Sequence, residues 1–353
     1  MQTIDLKYGR TTIPFSFDPQ QFEVLHCAEA PPLSDASLGE RLDTPIGSPP
    51  LEEMVAAGES VLIVVPDATR QVGCGQVVNL LVRRLIASGV DAFDISIIFA
   101  TGIHRAVTDD ERSAILTPFI AQRIKTIAHA PRDLMQILNL GETSDGIPVQ
   151  LNRALVEHDH VMLIGGINFH YFAGFTGGRK LICPGLASSQ TISATHKLAF
   201  DCAALDRRIG VGTGLLDGNP VHDAFAEAAS KIGSVFCVST HVNECGEASE
   251  LFSGDLVTSH RAACEAYAAA HTVEIAEKRD LVIVSCGFPF DINMIQAHKA
   301  LDAASHACTD GGTIILLAEC SEGPGRSDFL NWFQSRNSSE LAIKLCEKYQ
   351  VNG

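Results

Sequence analysis

The sequence predicts an α/β protein of two domains with mostly parallel sheets flanked by helices, its active site in the cleft between the domains. Three observations predict it. The chain has 353 residues, more than a single hydrophobic core usually serves. Short β-branched runs alternate with longer amphipathic stretches, the pattern of parallel strands joined by crossover helices. Three of the predicted strands run directly into polar motifs, and in open α/β sheets ligands bind beyond the carboxyl ends of strands.

In chain order, Pro31, Pro32, Pro45, Pro49 and Pro50 mark the first twenty to fifty residues as an irregular arm or edge. Val61–Val65 reads as a buried strand, and Val77 to Ala87 as the helix returning from it. Asp94–Phe99 is the next strand. Thr108 with Glu111 has capping-box spacing and starts a helix to about Leu116. Ile124–Ala128 and Val161–Ile167 are further strands. After Gly185 a Ser/Thr-rich turn enters a helix, and Val235–Val238 is a strand. Thr258 to about Ala270 reads as a long helix. It is followed by the strand Leu281–Val284, a helix from Ile292 to about Cys308 and the strand Thr313–Leu317. A boundary near 270 makes residues 1–270 an N-terminal domain carrying the ligand site and 271–353 a C-terminal domain.

Composition narrows the function. The chain is 46% hydrophobic and 19% charged, with no apolar run near the ~18 residues a membrane-spanning helix needs. Met1–Lys7 lacks the basic start and apolar stretch of a signal peptide, so a cytoplasmic location is expected. The eleven cysteines are odd in number and include no Cys-x-x-Cys pair. They are expected to be mostly buried thiols, not a disulfide framework, a zinc site or an iron-sulfur cluster. The formal charge of −16 repels phosphate backbones and anionic lipid, which excludes nucleic acid and membrane surfaces as favoured partners. Against that background Arg70, Arg105, Arg179, Lys180 and Lys299 lie in or beside the motifs, and a positive pocket in a negative protein suits a small anionic ligand.

The three strand-end motifs are Pro66-Asp67-Ala68-Thr69-Arg70, Ala100-Thr101-Gly102-Ile103-His104-Arg105 and Asn168-Phe169-His170-Tyr171. Taken singly, Asp67 could cap a turn, Arg70 could be a surface ion-pair partner, and His104 and His170 could be satisfied core or loop histidines. Their recurrence at three strand ends favours a shared site. The densest motif is Gly174-Phe-Thr-Gly177-Gly178-Arg179-Lys180-Leu-Ile-Cys-Pro184-Gly185. Adjacent glycines let a backbone approach a ligand and expose N–H groups to an anion. It is not a Walker loop, because Arg179 separates Gly178 from Lys180 and no Ser or Thr follows the lysine. A glycine hairpin with two solvated cations is the plain alternative. His196 stands at a predicted helix start, and Gln296 and Lys299, three apart, share a helix face.

Together these residues resemble the lactate racemase family. The matching pieces are Asp67-Ala-Thr-Arg70, Ala100 to Arg105, His170 to Gly174 running into Gly177-Gly178-Arg179-Lys180 and Pro184-Gly185, then His196, and Gln296 to Lys299. They run in the family's order and near its spacing. The resemblance implies a nickel-pincer nucleotide, a pyridinium mononucleotide whose two sulfur-containing arms hold nickel. Lys180 would be joined to one arm as a thioamide and His196 would complete the nickel site. Asp67, Thr69, Gly177 and Gly178 would cradle the nucleotide. His104 and His170 would be the bases on either side of the reacting carbon, and Arg70, Gln296 and Lys299 would hold a small 2-hydroxy acid substrate. Cofactor-synthesis proteins are implied partners.

Two departures stand out. Ile295 precedes Gln296 where lactate-specific members commonly have tyrosine, which implies a different or bulkier substrate. Members usually continue past Gly353, so the second domain is expected to be incomplete. Two further readings stay open: a non-catalytic nucleotide- or carboxylate-binding homologue, and a metallohydrolase using Asp67, His104, His170 and His196.

Overall fold

The first seventeen residues, expected to be irregular, form a hairpin of β1 (Gln2–Tyr8) and β2 (Thr11–Phe17), paired antiparallel from Gln2↔Phe17 to Tyr8↔Thr11. The turn is made at Gly9, whose φ of 55° suits glycine. The structure is a computed structural model that describes all residues except 69, 71, 348 and 350–353. The chain divides into two units, Met1–Ala28 with Ala270–Gly353, and Glu29–Ala269.

The second unit opens with α1 (Asp35–Asp43), capped by Ser34, and the single turn α2 (Leu51–Met54). β3 (Val61–Pro66) is buried at every position, and α3 (Cys74–Ala87) returns from it. β4 (Ile95–Ala100) follows. α4 (Asp109–Ile115) starts at Thr108 with both halves of the expected capping box made. α5 (Pro118–Arg123) and β5 (Lys125–Ile127) come next. A hairpin of β6 (Ile137–Glu142) and β7 (Pro148–Asn152) then precedes the short α6 (Ala154–Glu157) and β8 (His160–Gly166).

Beyond β8 stand the two-residue strands β9 (Phe169–His170) and β10 (Gly174–Phe175), then α7 (Arg179–Ile182) and α8 (Ser189–Lys197), capped by Ser188. β11 (Phe200–Asp201) pairs with β12 (Asp206–Arg207). The unit ends with α9 (Pro220–Ala229), capped by Asn219, then β13 (Ser234–Val242), β14 (Ala248–Gly254) and α10 (Thr258–His271).

Six of these strands make one sheet in the order β14-β13-β8-β3-β4-β5, parallel except for the β13–β14 edge pair. The expected mostly parallel α/β sheet is therefore observed. Helices cover its faces, which is why β3 reads as a continuous apolar run without alternation. On one face α3 buries Val77, Val78, Leu81, Val82 and Leu85 in a cluster with Ile63, Ile97 and Ile164. Each such side chain contributes about 1.5–3 kcal/mol at most. From β3 the chain moves outward to β4 and β5, then crosses back to β8 and β13 on the other side. The order reverses between β3 and β8, and at such a switch point the loops diverge and leave a crevice at the carboxyl ends.

In the first unit, β15 (Arg279–Ser285) and β16 (Cys308–Leu317) run parallel on either side of α11 (Met294–Ser305), a β-α-β crossover. A 3-10 helix (Ser327–Gln334) and α12 (Ser338–Glu347) follow. The hairpin belongs here and not to a domain spanning 1–270, because the Lys7 backbone N–H donates to Ser285 Oγ (3.0 Å) and that of Gly9 to Asp291 Oδ2 (2.8 Å). Among the described residues no helix is long and apolar enough to cross a membrane.

Candidate active site

The strand ends at the switch point carry the motifs. Asp67 follows β3 and is 6% exposed. Beyond β4 the backbone turns through Gly102, whose φ of 54° requires glycine, and its N–H donates to Gly185 O at 2.8 Å. That bond ties the His104 loop to the end of the glycine motif. Because β3 and β4 are neighbours paired to Pro66↔Ala100, the two loops meet, and His104 Nδ1 lies 2.6 Å from Asp67 Oδ2. An ionised carboxylate only accepts, so Nδ1 carries the hydrogen and Nε2 presents a lone pair.

His170 comes from the loop after β8, on the β9–β10 pair, and is buried. Its Nδ1 accepts from the backbone N–H of Phe172 (3.5 Å) and Ala173 (3.3 Å). The ring stacks on Tyr171 at 4.9 Å and meets the edge of Phe172 at 4.4 Å.

The glycine motif serves packing first. A Cβ at Gly177 would stand 2.7 Å from Ile167 Cδ1, and one at Gly178 2.6 Å from His260 Cδ2. Arg179 turns inward, with Nη2 donating to Ala173 O (2.8 Å) and Nη1 2.9 Å from His260 Nε2. Burial pulls its pKa down to about 10, so it stays charged at neutral pH. Arg105 forms a two-pronged pair with Glu111 at 2.8 and 2.7 Å, and that pairing holds the Glu111 carboxyl down to about 2. Of the five cations marked in the sequence, then, Arg105 is a surface pair and Arg179 braces the loop; the positive pocket is smaller than composition implied.

Lys180 points elsewhere. Its Nζ lies 5.3 Å from the Phe172 ring centroid and 5.4 Å from that of Phe225. The same two rings flank the His196 imidazole, at 5.0 and 5.6 Å. His196 sits on α8 and its Nδ1 donates to Ile192 O at 2.8 Å, leaving the acceptor at Nε2. Burial, then the charge of Lys180 and the nearby His104, push its pKa down to about 3. His196 is thus a neutral imidazole at physiological pH, in the form that binds metals. Asp67, His104, His170, Lys180 and His196 all belong to the unit Glu29–Ala269.

The Arg70 backbone N–H donates to Asp67 O (3.2 Å), closing the turn after β3. Thr69 lies outside the described residues. Gln296 and Lys299 belong to the other unit, on the first turns of α11, with Lys299 Nζ donating to Gln296 Oε1 at 2.5 Å. Among the described residues no three His, Cys, Asp or Glu side chains are gathered as a metal site. Two aromatic residues of the site escaped the sequence. Phe172 lay inside a quoted motif but was given no role. Phe225, wholly buried on α9, looks like any core position of an amphipathic helix.

Comparison with known proteins adds a family. Family models for the lactate racemase N-terminal domain and the lactate racemase C-terminal domain match residues 8–206 and 274–352. A lactate racemase of Thermoanaerobacterium thermosaccharolyticum is 30% identical over 355 residues, 99% of this chain and 82% of the relative. One of Lactiplantibacillus plantarum is 31% identical over 334 residues, 93% of this chain and 77% of the relative. The lactate racemase apoprotein structure from T. thermosaccharolyticum superposes with a TM-score of 0.83 at 28% identity, covering 99% of this chain and 87% of that one. A Thermotoga maritima protein shares the fold at a TM-score of 0.68 and 21% identity, over 90% of this chain and 83% of its own.

Proposed function

The chain belongs to the lactate racemase family, a family of isomerases, and on that premise we propose that it inverts the stereocentre of a small 2-hydroxy acid by proton-coupled hydride transfer through a 2-keto acid. One observation carries the reading: Lys180 Nζ and the neutral His196 imidazole lie against the same two rings, Phe172 and Phe225.

That arrangement fits the nickel-pincer nucleotide. Lys180 would hold one sulfur-bearing arm as a thioamide, and His196 Nε2 would ligate nickel, for which sulfur and imidazole are suitable donors. The Ile192 carbonyl on Nδ1 fixes the tautomer that a ligand at Nε2 needs. The nucleotide phosphate is assigned to the turn of Asp67, Thr69 and Arg70 and to the backbone at Gly177 and Gly178. When bound, the cofactor supplies the acceptor and donor for the hydride that leaves and returns to the substrate carbon. The protein's own groups do the rest. Arg70 is suited to hold the substrate carboxylate, and the resemblance gives Lys299 and Gln296, on α11, substrate-binding roles of their own. His104 and His170 serve the substrate hydroxyl, where a proton is taken up and returned. Ile295, in place of the family's common tyrosine, favours an acid other than lactate.

The test uses protein made together with the cofactor-synthesis proteins. Intact-mass and peptide analysis should find the adduct on Lys180, metal analysis stoichiometric nickel, and chiral chromatography interconversion of at least one among lactate and larger 2-hydroxy acids. Nickel-loaded, adduct-bearing protein that leaves every such acid unchanged would refute the proposal.

A further inference from the structure

We propose that the 2-hydroxy acid this chain inverts carries a branched or aromatic apolar side chain, and that Ile295, seated against Gly325, is the residue that selects it. This deepens the racemase reading and rests on it.

The selecting surface is the first turns of α11. At about 3.6 residues per turn each residue advances roughly 100° around the helix, so Lys299 falls between Gln296 and Ile295 on its surface. Gln296 and Lys299 are bonded to each other, Nζ to Oε1, and the resemblance gives both substrate-binding roles. A substrate whose polar end meets those two side chains has Ile295 as its next neighbour on the helix. On the far side of Ile295 comes His298, whose ring lies 6.4 Å from that of Phe329. Met294, just before Ile295, is a further apolar side chain and is exposed.

The wall over Ile295 is backbone. The loop after β16 is laid along the start of α11 by bonds from Cys320 N–H to Asp291 O (2.9 Å), Glu322 N–H to Ile292 O (2.8 Å) and Met294 N–H to Gly323 O (3.1 Å). The buried Asp291 carboxylate fixes the loop's entry by accepting from the Glu319 N–H at 3.1 Å. Gly325 follows at a φ of 86°, and a Cβ there would stand 2.8 Å from Ile295 Cδ1. The tip of the isoleucine therefore occupies the place that a side chain at 325 would take, and glycine is what lets it lie back on the loop. Charge disfavours an acid with a polar side chain. The loop's cation, Arg326, is held in a two-pronged pair by Asp328 at 3.0 and 2.7 Å, and the loop also carries Glu319 and Glu322, which oppose a second carboxylate. The Asn293 amide oxygen is engaged as the cap of α11, accepting from the Gln296 N–H at 3.0 Å. A hydroxyl or carboxylate on the substrate's side chain would be desolvated against Met294, Ile295 and Gly325 without a partner among them.

The experiment reads a ratio, which does not depend on how much of the protein carries cofactor. Protein made with the cofactor-synthesis proteins is given equimolar pairs of single-enantiomer acids, and chiral chromatography follows both inversions in one sample. 2-Hydroxyisocaproate and 3-phenyllactate should each invert faster than lactate by about tenfold or more, the scale of one or more methylenes in an apolar pocket, and faster than malate or glycerate by about 10²-fold. Gly325→Ala drives the Ile295 tip off the loop, and should cut the ratio of 3-phenyllactate to lactate by about tenfold. Ile295→Thr keeps the β-branch but sets a hydroxyl beside the substrate, and should cut the ratio of 2-hydroxyisocaproate to glycerate by about tenfold. The threonine variant adds no bulk and leaves Gly325 in place, so it reads the same preference where Gly325→Ala does not fold. A wild type that prefers lactate, malate or glycerate, or a ratio unmoved in Ile295→Thr, overturns the proposal and leaves the racemase reading standing. Nickel-loaded protein that inverts none of these acids overturns both.

Discussion

Acidification from pH 7 to pH 5 should cost the unit Glu29–Ala269 about 2 kcal/mol through His129 alone. This residue follows β5 and is 7% exposed, and its Nε2–H donates to Ala187 O (3.2 Å) while Nδ1 accepts from Asn152 Nδ2 (3.1 Å). Burial pushes its pKa down to about 4, with the Ala187 carbonyl pulling weakly the other way. The folded value thus lies below the ordinary 6.5, and between those two values the unfolded chain binds a proton that the folded one refuses. Stability from this group is complete above pH 6.5 and is lost as pH falls toward about 4. At pH 5 the unfolded state gains RT ln(1 + 10^1.5), roughly 2 kcal/mol, against about 0.2 at pH 7. Against a typical 5–15 kcal/mol that loss is large. Other buried histidines add to the wild-type slope, so the measurement is a difference: urea unfolding of wild type and His129→Gln at both pH values. Glutamine can keep the bond to Ala187 but does not titrate, and its stability should fall by about 2 kcal/mol less on acidification. Equal losses in the two proteins would show that His129 is not held neutral. The position matters to the site because Ala187 precedes Ser188, the cap of the helix that carries His196.

Three more outcomes follow from the geometry. Asp67→Asn replaces the carboxylate that orients His104, a charge-assisted bond worth about 1.5–3 kcal/mol, so racemisation by the loaded variant should fall about 10- to 10²-fold; activity within twofold of wild type would remove Asp67 from that role. Gly178→Ala places a Cβ 2.6 Å from His260 Cδ2 at a φ of 49°, and should lower the unfolding free energy by about 1–3 kcal/mol in urea titration. An unshifted midpoint would contradict the packing described. Phe225→Leu withdraws one of the rings shared by Lys180 and His196, and should cost about 1–2 kcal/mol of stability and lower the nickel recovered with the purified protein; full nickel content would show that the ring does not help to hold the ligand.

The parallel strands were legible because burial on both faces leaves a continuous apolar signature. Val61–Val65 and Val161–Ile167 carry it, and the capping box at Thr108 and Glu111 marks its helix start through chemistry local to four residues. The hairpins were not legible. β1 and β2 are mostly exposed or half-buried, with Pro14 in the second strand, so neither alternation nor an apolar run marks them. β6 has the same character, its six residues all exposed or half-buried. The grouping of the first 28 residues with the C-terminal unit depends on bonds such as Gly9 to Asp291, which link positions hundreds of residues apart and have no local sign.

For the site, residue identity was legible and residue state was not. Strand-end position is a property of the chain, so Asp67, His104 and His170 could be found where an apolar run meets polar residues. What each imidazole can do depends on which atom faces its Nδ1, and that atom is a carboxylate oxygen at His104, a carbonyl at His196 and two amide hydrogens at His170. None of those partners is marked in the sequence, since two of the three are backbone. The same three letters therefore stand for imidazoles whose Nδ1 donates, at His104 and His196, and for one whose Nδ1 accepts, at His170, and only the fold tells them apart.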